Sequence, residues 1–250
     1  MDISVVIPVY NSIKTLPAVI EEIEGFFLES KWSYELILVD DGSTDLSWSY
    51  IEKQMLENKN IVGVKLPMNI GQQKALLQGL LKCRGEYALT MDDDGQHDIR
   101  AVLQMKKMAK EGCDLVYGIY GNVTEKGIRH MGSKIVGRFF KRRFRTLRGL
   151  RVSSFRLIHK SVYEVLSDRP TDFVYLSAEL LPHVKCVGNV SVIRRERYAG
   201  KSGYTVKKLV SLCFKLHWHY GMRHQLESFF KRHLTRREQR VVSPESKGTE

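Results

Sequence analysis

Three consecutive aspartates, Asp92, Asp93 and Asp94, follow a short apolar run in the stretch YALTMDDDGQHD, residues 87–98. Adjacent carboxylates repel one another, so a fold gains little from clustering them unless a cation offsets their charge. Carboxylate oxygens are ligands that Mg²⁺ and Mn²⁺ prefer. In an extended chain the outer two side chains point to one side and the middle one to the other. The spacing therefore predicts a divalent-cation site at Asp92 and Asp94, with a solvated acidic turn as the alternative.

The elements around this triplet indicate where it lies. Residues 1–120 alternate between short apolar runs and stretches with helical periodicity. The predicted strands are residues 3–9, 34–40, 60–66, 86–91 and 113–118, and the predicted helices are residues 15–30, 45–57, 71–83 and 98–112. Nearly continuous apolar strands that alternate with helices predict an α/β fold, with a mostly parallel sheet and helices on both faces.

Polar residues end three of the predicted strands. Tyr10 and Asn11 follow the first strand, VDDGSTD (residues 39–45) ends the second, and MDDDGQHD (residues 91–98) ends the fourth. The carboxyl ends of parallel strands share one edge of a sheet, and ligands bind there. We therefore expect the three turns to converge on one site, which favours the cation site over the solvated turn.

The charge of the chain is divided unevenly between its halves. Residues 1–125 carry 12 Lys and Arg against 19 Asp and Glu, whereas residues 126–250 carry 28 against 9. A basic half of this kind indicates a polyanionic partner: a membrane surface, a nucleic acid or a phosphorylated substrate. A solvated basic surface is the alternative.

Two basic stretches have the composition of helices that lie on an anionic membrane surface. The first, residues 132–150, carries an apolar stripe of Val136, Phe140, Phe144 and Leu147, for which a core helix is the alternative. The second, residues 204–234, reads as two basic helices with aromatic residues. No apolar run approaches the ~18–20 residues of a membrane span, so we expect docking without crossing. The polar tail, residues 241–250, is expected to be disordered.

Cysteine usage bears on the compartment. The four cysteines are Cys83, Cys113, Cys186 and Cys213, without a CxxC pair, and the first residues lack the features of a secretory signal. This predicts reduced thiols in a cytoplasmic protein rather than a disulfide or zinc framework.

Four stretches carry a resemblance to a known family. They are VVIPVYN, LVDDGSTD, MNIGQQKALLQG and TMDDDGQHD, in this order. Together they resemble the nucleotide-sugar domain of family 2 glycosyltransferases, and the last is most similar to the polyprenyl-phosphate branch, that of dolichol-phosphate mannosyltransferase and the bacterial undecaprenyl-phosphate sugar transferases. The resemblance implies a GT-A type fold, a Rossmann-like sheet followed by basic amphipathic helices. The implied divisions are residues 1–203 for the transferase domain, with a nucleotide-sugar half at 1–120 and an acceptor half at 121–203, and residues 204–240 for the helices.

The resemblance also implies roles for the matching residues. The nucleotide-sugar ligands are Pro8, Tyr10, Asn11, Asp40, Asp41, Asn69, Gly71, Asp92, Asp93 and Asp94. The metal ligands are Asp92, Asp94 and Gln96, and the two aspartates are the catalytic residues. The acceptor phosphate is bound by Arg129, Ser133, Arg156, Arg197 and Ser202. The chain departs from the family at Ser12, where many relatives carry Glu, and at GKSG (residues 200–203), where Gly-Glu-Ser-Lys is common.

The implied activity is an inverting transfer, dependent on Mg²⁺ or Mn²⁺, from a UDP-, GDP- or dTDP-sugar to a polyprenyl phosphate on the cytoplasmic face of a membrane. An acceptor phosphate is already ionised and needs no general base, which suits a sequence without an obvious Asp–His or Glu–His dyad; His97 is expected to be structural. A hydroxyl acceptor is the alternative, with Asp93 or Glu179 as the base.

Two rival classes of protein are less compatible with the sequence. A nucleic-acid-binding protein would account for the basic half but not for carboxylates at the strand ends, so we expect no nucleic-acid partner. A relative that binds sugar nucleotides without turnover would not need an intact Asp-x-Asp. An oligomer is compatible with the sequence.

Overall fold

The computed structural model describes residues 1–121, 138–140, 142–143, 150–168, 173–196, 198 and 206–222. The chain divides into two compact units, Met1–Tyr204 and Thr205–Glu250. In the first unit the strands are β1 (Ile3–Val9), β2 (Tyr34–Asp40), β3 (Ile61–Lys65), β4 (Tyr87–Thr90), β5 (Leu115–Tyr120), β6 (Arg156–His159) and β7 (Val187–Val192). The first four helices are α1 (Leu16–Ser30), α2 (Ser47–Glu57), α3 (Gln72–Leu80) and α4 (Val102–Lys110). Shorter helices cover Lys160–Tyr163 and Leu176–Leu180, and 3₁₀ turns cover Ile99–Ala101 and Leu181–His183.

The seven strands form one sheet in the order β3-β2-β1-β4-β6-β5-β7. β1 pairs in parallel with β2 and β4, and β2 pairs in parallel with β3. β6 is antiparallel to both β4 and β5, and β7 is parallel to β5. The predicted α/β fold with a mostly parallel sheet is therefore confirmed. The order places the carboxyl ends of β2, β1 and β4 side by side.

The sequence explains why β1 and α1 form where they do. All seven residues of β1 are buried, as expected for a central strand covered on both faces. The helix α1 buries six apolar residues at helical spacing: Leu16, Val19, Ile20, Ile23, Phe26 and Phe27. Each such side chain contributes about 1.5–3 kcal/mol when fully buried. The helix ends at Lys31, which has a left-handed backbone and donates its N–H to the carbonyl of Phe27.

A buried carboxylate ties the amino ends of the central strands together. Glu35, at the start of β2, has a side chain only 1% exposed. It accepts hydrogen bonds from Ser4 Oγ at 2.6 Å, from Arg84 N at 2.7 Å and from Arg84 Nε at 2.8 Å. The charge is thereby paired and hydrogen-bonded, as burial of a carboxylate requires.

The chain makes one further pairing after the last strand. β7 ends at Val192. Beyond it, Arg194 forms an isolated antiparallel bridge with His97. The chain therefore leaves the sheet to pair with the acidic turn, a long-range contact that local periodicity does not encode.

At Phe140 the structure favours the core-helix alternative for the stripe on residues 132–150 over membrane docking. This side chain is 1% exposed, and its ring centroid lies 5.3 Å from that of Tyr175, so Phe140 packs in the interior. Val136, Phe144 and Leu147 lie outside the described residues.

The described part of the second unit is helical. An α-helix covers Val206–Leu216 and a π-helical segment follows at His217–Met222. Val210, Phe214 and Trp218 are 63%, 69% and 50% exposed. Residues 223–240 and the tail at 241–250 lie outside the described residues. Where the chain is described, no helix has both the length and the apolarity needed to span a bilayer.

Candidate active site

The polar turns that follow β1, β2 and β4 meet at one edge of the sheet, as the sequence predicted. Ser12 donates its hydroxyl to the carboxylate of Asp93, which joins the first turn to the acidic triplet. Asn11 donates its N–H to Ser43 Oγ at 3.0 Å, which joins the first turn to the second. The turn after β2 also needs Gly42. This residue has φ of 70°, and a Cβ there would lie 2.7 Å from the backbone nitrogen of Asn69.

Asp41, in the turn after β2, is held by hydrogen bonds within the protein. Asp41 is 2% exposed, and it accepts the N–H groups of Ile70 at 2.7 Å and Gly71 at 2.9 Å. Burial raises the pKa of Asp41, whereas the two N–H donors lower it. Asp41 was predicted to bind the donor, but the structure shows its carboxylate fastening the loop at residues 68–71.

Asp40 differs from Asp41, because one of its carboxylate oxygens has no hydrogen-bond partner among the described residues. The residue is fully buried, and its Oδ2 accepts the N–H of Ser43 at 3.2 Å. Its Oδ1 has no partner among the described residues. An unsatisfied buried acceptor costs about 1–3 kcal/mol, so a hydrogen-bond donor from a ligand would be favoured there.

The other predicted nucleotide-sugar ligands divide into accessible and inaccessible groups. Pro8 is buried within β1. Asn11 has a left-handed backbone, with φ of 53°, and its Oδ1 accepts the N–H of Thr44 at 2.8 Å. Tyr10 is 48% exposed, and Asn69 is exposed as well. Tyr10, Asn11 and Asn69 are therefore exposed at this edge, whereas Pro8 is not.

Asp92 is positioned from three sides. Its Oδ1 accepts Gln72 Nε2 at 2.6 Å, and its Oδ2 accepts the hydroxyl of Ser154 at 2.9 Å. Its backbone N–H donates to Nδ1 of His97 at 3.1 Å. Sequence reasoning did not select Gln72 or Ser154, although Gln72 lies in the stretch MNIGQQKALLQG that it singled out. Each carboxylate oxygen still has a lone pair for a cation.

The middle and outer aspartates have different partners, as extended geometry predicts. Asp93 turns to Ser12, whereas Asp94 Oδ1 accepts the N–H of Gln96 at 3.1 Å. Burial raises the pKa of Asp93 to about 6, and the charges of Asp92 and Asp94 act in the same direction against the Ser12 hydrogen bond.

Gln96 was predicted to bind the metal, but its carboxamide is engaged elsewhere. Its Oε1 accepts Arg194 Nη2 at 3.1 Å, and its Nε2 donates to the carbonyl of Arg195 at 3.3 Å. The structure thus leaves the aspartates as the candidate metal ligands and gives Gln96 a role in holding the chain after β7.

Further contacts hold the segment after β7 against the acidic turn. We call this segment, which comprises residues 194–196 and Tyr198, the latch. Arg195 donates its N–H to the carbonyl of Gln96 at 3.2 Å, and Tyr198 donates its N–H to the carbonyl of Asp94 at 3.2 Å. The ring of Tyr198 covers Gly95, where a Cβ would lie 2.3 Å from the ring.

The latch is also fastened to α1. Arg195 Nη1 lies 2.6 Å from Glu22 Oε1, and its Nη2 lies 2.8 Å from Asp98 Oδ2. The hydroxyl of Tyr198 donates to Glu22 Oε2 at 3.1 Å. No local pattern indicates a role for Glu22, because its partners lie more than 170 residues away.

His97 has the structural environment that the sequence predicted. It is 3% exposed, and its ring stacks on that of Phe155 at 4.7 Å and on that of Tyr120 at 5.9 Å. Burial lowers the pKa of His97. Its Nδ1 accepts the N–H of Asp92, which requires that nitrogen to be unprotonated.

Arg156 was predicted to bind the acceptor phosphate, but the structure places it in the interior of the sheet. It lies on β6 between β4 and β5 and is 2% exposed. Its Nε donates to the carbonyl of Ser154 at 3.3 Å, while its Nη1 is buried without a partner in the described part of the chain. Burial lowers its pKa, whereas Tyr117, Tyr175 and Asp92 raise it. Arg156 therefore supplies positive charge that interacts with Asp92. The other predicted phosphate ligands, Arg129, Ser133, Arg197 and Ser202, lie outside the described residues.

The acidic turn fits a divalent cation that is completed by a ligand. Within the described ranges, no three His, Cys, Asp or Glu side chains come together as a ready-made metal site. Two carboxylates suffice for Mg²⁺ when substrate phosphates and water fill the remaining positions. Asp92 and Asp94 match this donor set.

Comparison with known families and sequences gives a consistent result. The family model described as "Glycosyl transferase family 2" matches residues 4–167. An uncharacterised glycosyltransferase of Bacillus subtilis, YkoT, is 30% identical over 232 residues, covering 85% of this chain and 65% of that protein. The undecaprenyl-phosphate 4-deoxy-4-formamido-L-arabinose transferase of Pseudomonas fluorescens SBW25 is 29% identical over 218 residues, covering 86% and 63%. The chain thus spans about two thirds or less of the length of these relatives.

Solved structures share the fold at low sequence identity. Glucosyl-3-phosphoglycerate synthase from Mycobacterium tuberculosis, in complex with Mn²⁺, UDP-glucose and phosphoglyceric acid, has a TM-score of 0.62 at 19% identity, covering 86% of this chain and 76% of that one. TarS residues 1–349 from Staphylococcus aureus, in complex with UDP-GlcNAc, has a TM-score of 0.56 at 19% identity, covering 85% and 65%. At this identity the likeness shows the fold alone.

Proposed function

Because this chain belongs to glycosyl transferase family 2, we propose that it transfers a sugar from a nucleotide-diphosphate-sugar to a polyprenyl phosphate. The observation that carries the proposal is the convergence of the two acidic turns, with Asp92 fixed by Gln72 and Ser154. The relatives named for an undecaprenyl-phosphate acceptor support this choice of substrate.

The donor is proposed to bind across the turns after β1 and β2. Tyr10 and Asn69 are exposed there, and the buried Asp40 Oδ1 lacks a partner among the described residues. A nucleobase N–H would satisfy that oxygen. Asp40 is fully buried, so binding at this oxygen requires the residues that cover it to move. The donor would be a UDP-, GDP- or dTDP-sugar.

Asp92 and Asp94 are proposed to hold Mg²⁺ or Mn²⁺ together with the donor diphosphate. A bound divalent ion acts as a Lewis acid that neutralises the charge of the leaving diphosphate. The residues of this chain contribute the geometry: Gln72 and Ser154 orient the Asp92 carboxylate, and Ser12 holds Asp93 away from it.

The acceptor phosphate needs positive charge rather than a general base, because it is already ionised near neutral pH. Arginine binds phosphate in a bidentate manner, and the proposed ligands are Arg129 and Arg197, with Ser133 and Ser202. Attack from the face opposite the leaving diphosphate would invert the anomeric centre.

A hydroxyl acceptor is the second candidate, and one observation favours it. The pKa of Asp93 is raised to about 6, which is closer to the range that suits a general base than that of an ordinary carboxyl. Asp93 would then take the proton of the hydroxyl, and Glu179 is the other candidate base.

The enzyme is proposed to work on the cytoplasmic face of an anionic membrane without crossing it. Val210, Phe214 and Trp218 recur every four residues and are all at least half exposed. Residues 126–250 carry 28 Lys and Arg against 9 Asp and Glu, and each basic residue near an anionic surface contributes about 1 kcal/mol. The chain should float with phosphatidylglycerol vesicles at low salt and be released at high salt.

Transfer assays test the proposed reaction. A panel of UDP-, GDP- and dTDP-sugars is incubated with Mg²⁺ or Mn²⁺ and either a polyprenyl phosphate or the matching phosphate-free polyprenol. We expect transfer to the phosphate only, and none in EDTA. Transfer to the free alcohol would favour the hydroxyl candidate, and full activity in EDTA would refute the role of Asp92 and Asp94.

A further inference from the structure

Two of the four cysteines, which are 73 residues apart in sequence, meet in the fold. The Sγ atoms of Cys113 and Cys186 are 2.7 Å apart. This is shorter than a non-bonded contact between two sulfur atoms and longer than the ~2.05 Å of a disulfide bond. Cys113 precedes β5 and Cys186 precedes β7, so the two thiols lie where this parallel pair begins.

The backbone around the two thiols is already fixed in register. Asp114 donates its N–H to the carbonyl of Cys186 at 3.0 Å. In return, Asp114 Oδ2 accepts the N–H groups of Lys185 at 2.8 Å and Cys186 at 3.1 Å. A bond between the sulfurs therefore needs only side-chain adjustment. Both cysteines are partly exposed, which gives a small oxidant access.

We propose that Cys113 and Cys186 form a reversible disulfide when the chain meets a peroxide. One sulfur attacks hydrogen peroxide, which forms a sulfenic acid and releases one water. The second sulfur then attacks the sulfenic sulfur, the S–S bond forms, and a second water leaves. The two thiols lose two electrons and two protons, and one peroxide is reduced to two waters.

The environment of Cys113 makes this a slow reaction. Burial raises the pKa of Cys113 to about 12, and the neighbouring Cys186 acts in the same direction. Because the thiolate is the nucleophile, little of Cys113 is reactive at neutral pH.

The position of the pair separates its effect from the proposed transfer reaction. β5 and β7 run parallel to β4, so their amino ends lie at the edge of the sheet opposite the acidic turn. Closing a loop of this length restricts the unfolded chain, which should raise thermal stability. The cross-link should leave donor and acceptor kinetics unchanged, and it does not depend on the proposed function.

Peptide mapping of the full chain tests the proposal. The reduced protein is treated with hydrogen peroxide, blocked with iodoacetamide, digested without reductant and examined by mass spectrometry. We expect a peptide pair joined through Cys113 and Cys186 that dithiothreitol separates, with Cys83 and Cys213 alkylated. The Tm of the oxidised protein should be higher by about 5 °C.

Two variants and two adverse outcomes complete the test. Cys186→Ser should abolish the oxidative Tm shift, whereas Cys83→Ser, the matched control, should retain it. Alkylation of both Cys113 and Cys186 after peroxide treatment, or a cross-link through another cysteine, would overturn the proposed pairing. A Cys113–Cys186 link without any rise in Tm would overturn its stabilising role.

Discussion

The latch after β7 gives the sharpest test of how the site is assembled. Glu22 on α1 binds both Arg195 and Tyr198, and these two residues flank Arg197, the proposed acceptor-phosphate ligand. Glu22→Gln keeps the shape of the side chain and removes its charge. If the latch positions Arg197, this change should weaken the acceptor more than the donor.

The size of the effect follows from the contacts. The Arg195 and Glu22 side chains are 30% and 17% exposed, so solvent screens their attraction only in part. A hydrogen bond to a charged group contributes about 1.5–3 kcal/mol. Arg195 keeps its contact with Asp98 at 2.8 Å, and glutamine can still accept a hydrogen bond, so we expect a loss of about 1 kcal/mol. This corresponds to an acceptor KM about fivefold higher.

Steady-state kinetics with each substrate varied in turn measures the effect. Donor KM should change by less than about twofold, because Glu22 contacts none of the proposed donor ligands and a loss of 1 kcal/mol in donor binding would instead raise it about fivefold. Glu21→Gln is the matched control, because it makes the same charge change at an exposed neighbouring position of α1. Equal increases in the donor and acceptor KM of Glu22→Gln, or an equal effect of the control, would refute a positioning role for the latch.

Three further perturbations have definite expected outcomes. Asp94→Asn should lower kcat/KM by an amount equivalent to about 2–4 kcal/mol of transition-state stabilisation, and Asp93→Asn should lower it by less. Equal losses in transfer assays would contradict the assignment of the outer aspartates to the metal. Glu35→Gln should lower the free energy of unfolding in urea by about 2 kcal/mol through loss of its buried ion pair, and an unchanged midpoint would contradict this. Hydrogen bonds from Ser33 lower the pKa of Asp2, so this carboxylate stabilises the fold above its ordinary pKa of 3.8 and loses that effect as pH falls through the lower folded value. The Tm of Asp2→Asn should therefore fall less than that of the parent on acidification, and an equal fall in both proteins would contradict this role of Asp2.

Local pattern predicted the sheet well, for a physical reason. β2 was predicted at residues 34–40 and occurs at Tyr34–Asp40, because six of its seven residues are buried and a turn follows at once. The helix predicted at residues 98–112 begins instead as a 3₁₀ turn, Ile99–Ala101, with Asp98 capping Arg100 N at 3.0 Å. The local sequence pattern therefore predicts the helix but not the 3₁₀ geometry of its first turn.

The residue roles were harder to predict, because tertiary pairing decides them. The resemblance gives Arg156 as a phosphate ligand, yet pairing of β6 with both β4 and β5 buries it. Asp41 looks like a free ligand in the sequence, but its partners are backbone N–H groups of a distant loop. Ser12 donates its hydroxyl to the carboxylate of Asp93. A carboxylate at position 12 would repel Asp93 instead. No pattern within a single segment encodes these contacts.

The strand order has a consequence for how the protein is made. The acidic turn follows β4, but two of the groups that fix it come much later, from Ser154 before β6 and from Arg195 after β7. A nascent chain that has emerged only through β5 holds all three aspartates without either contact. Since β6 must insert between β4 and β5, the sheet closes late and through non-local pairs, which slow folding. We therefore expect the ability to bind the donor with its cation to arise only after residue 198 has been synthesised, when β7 and the latch are in place.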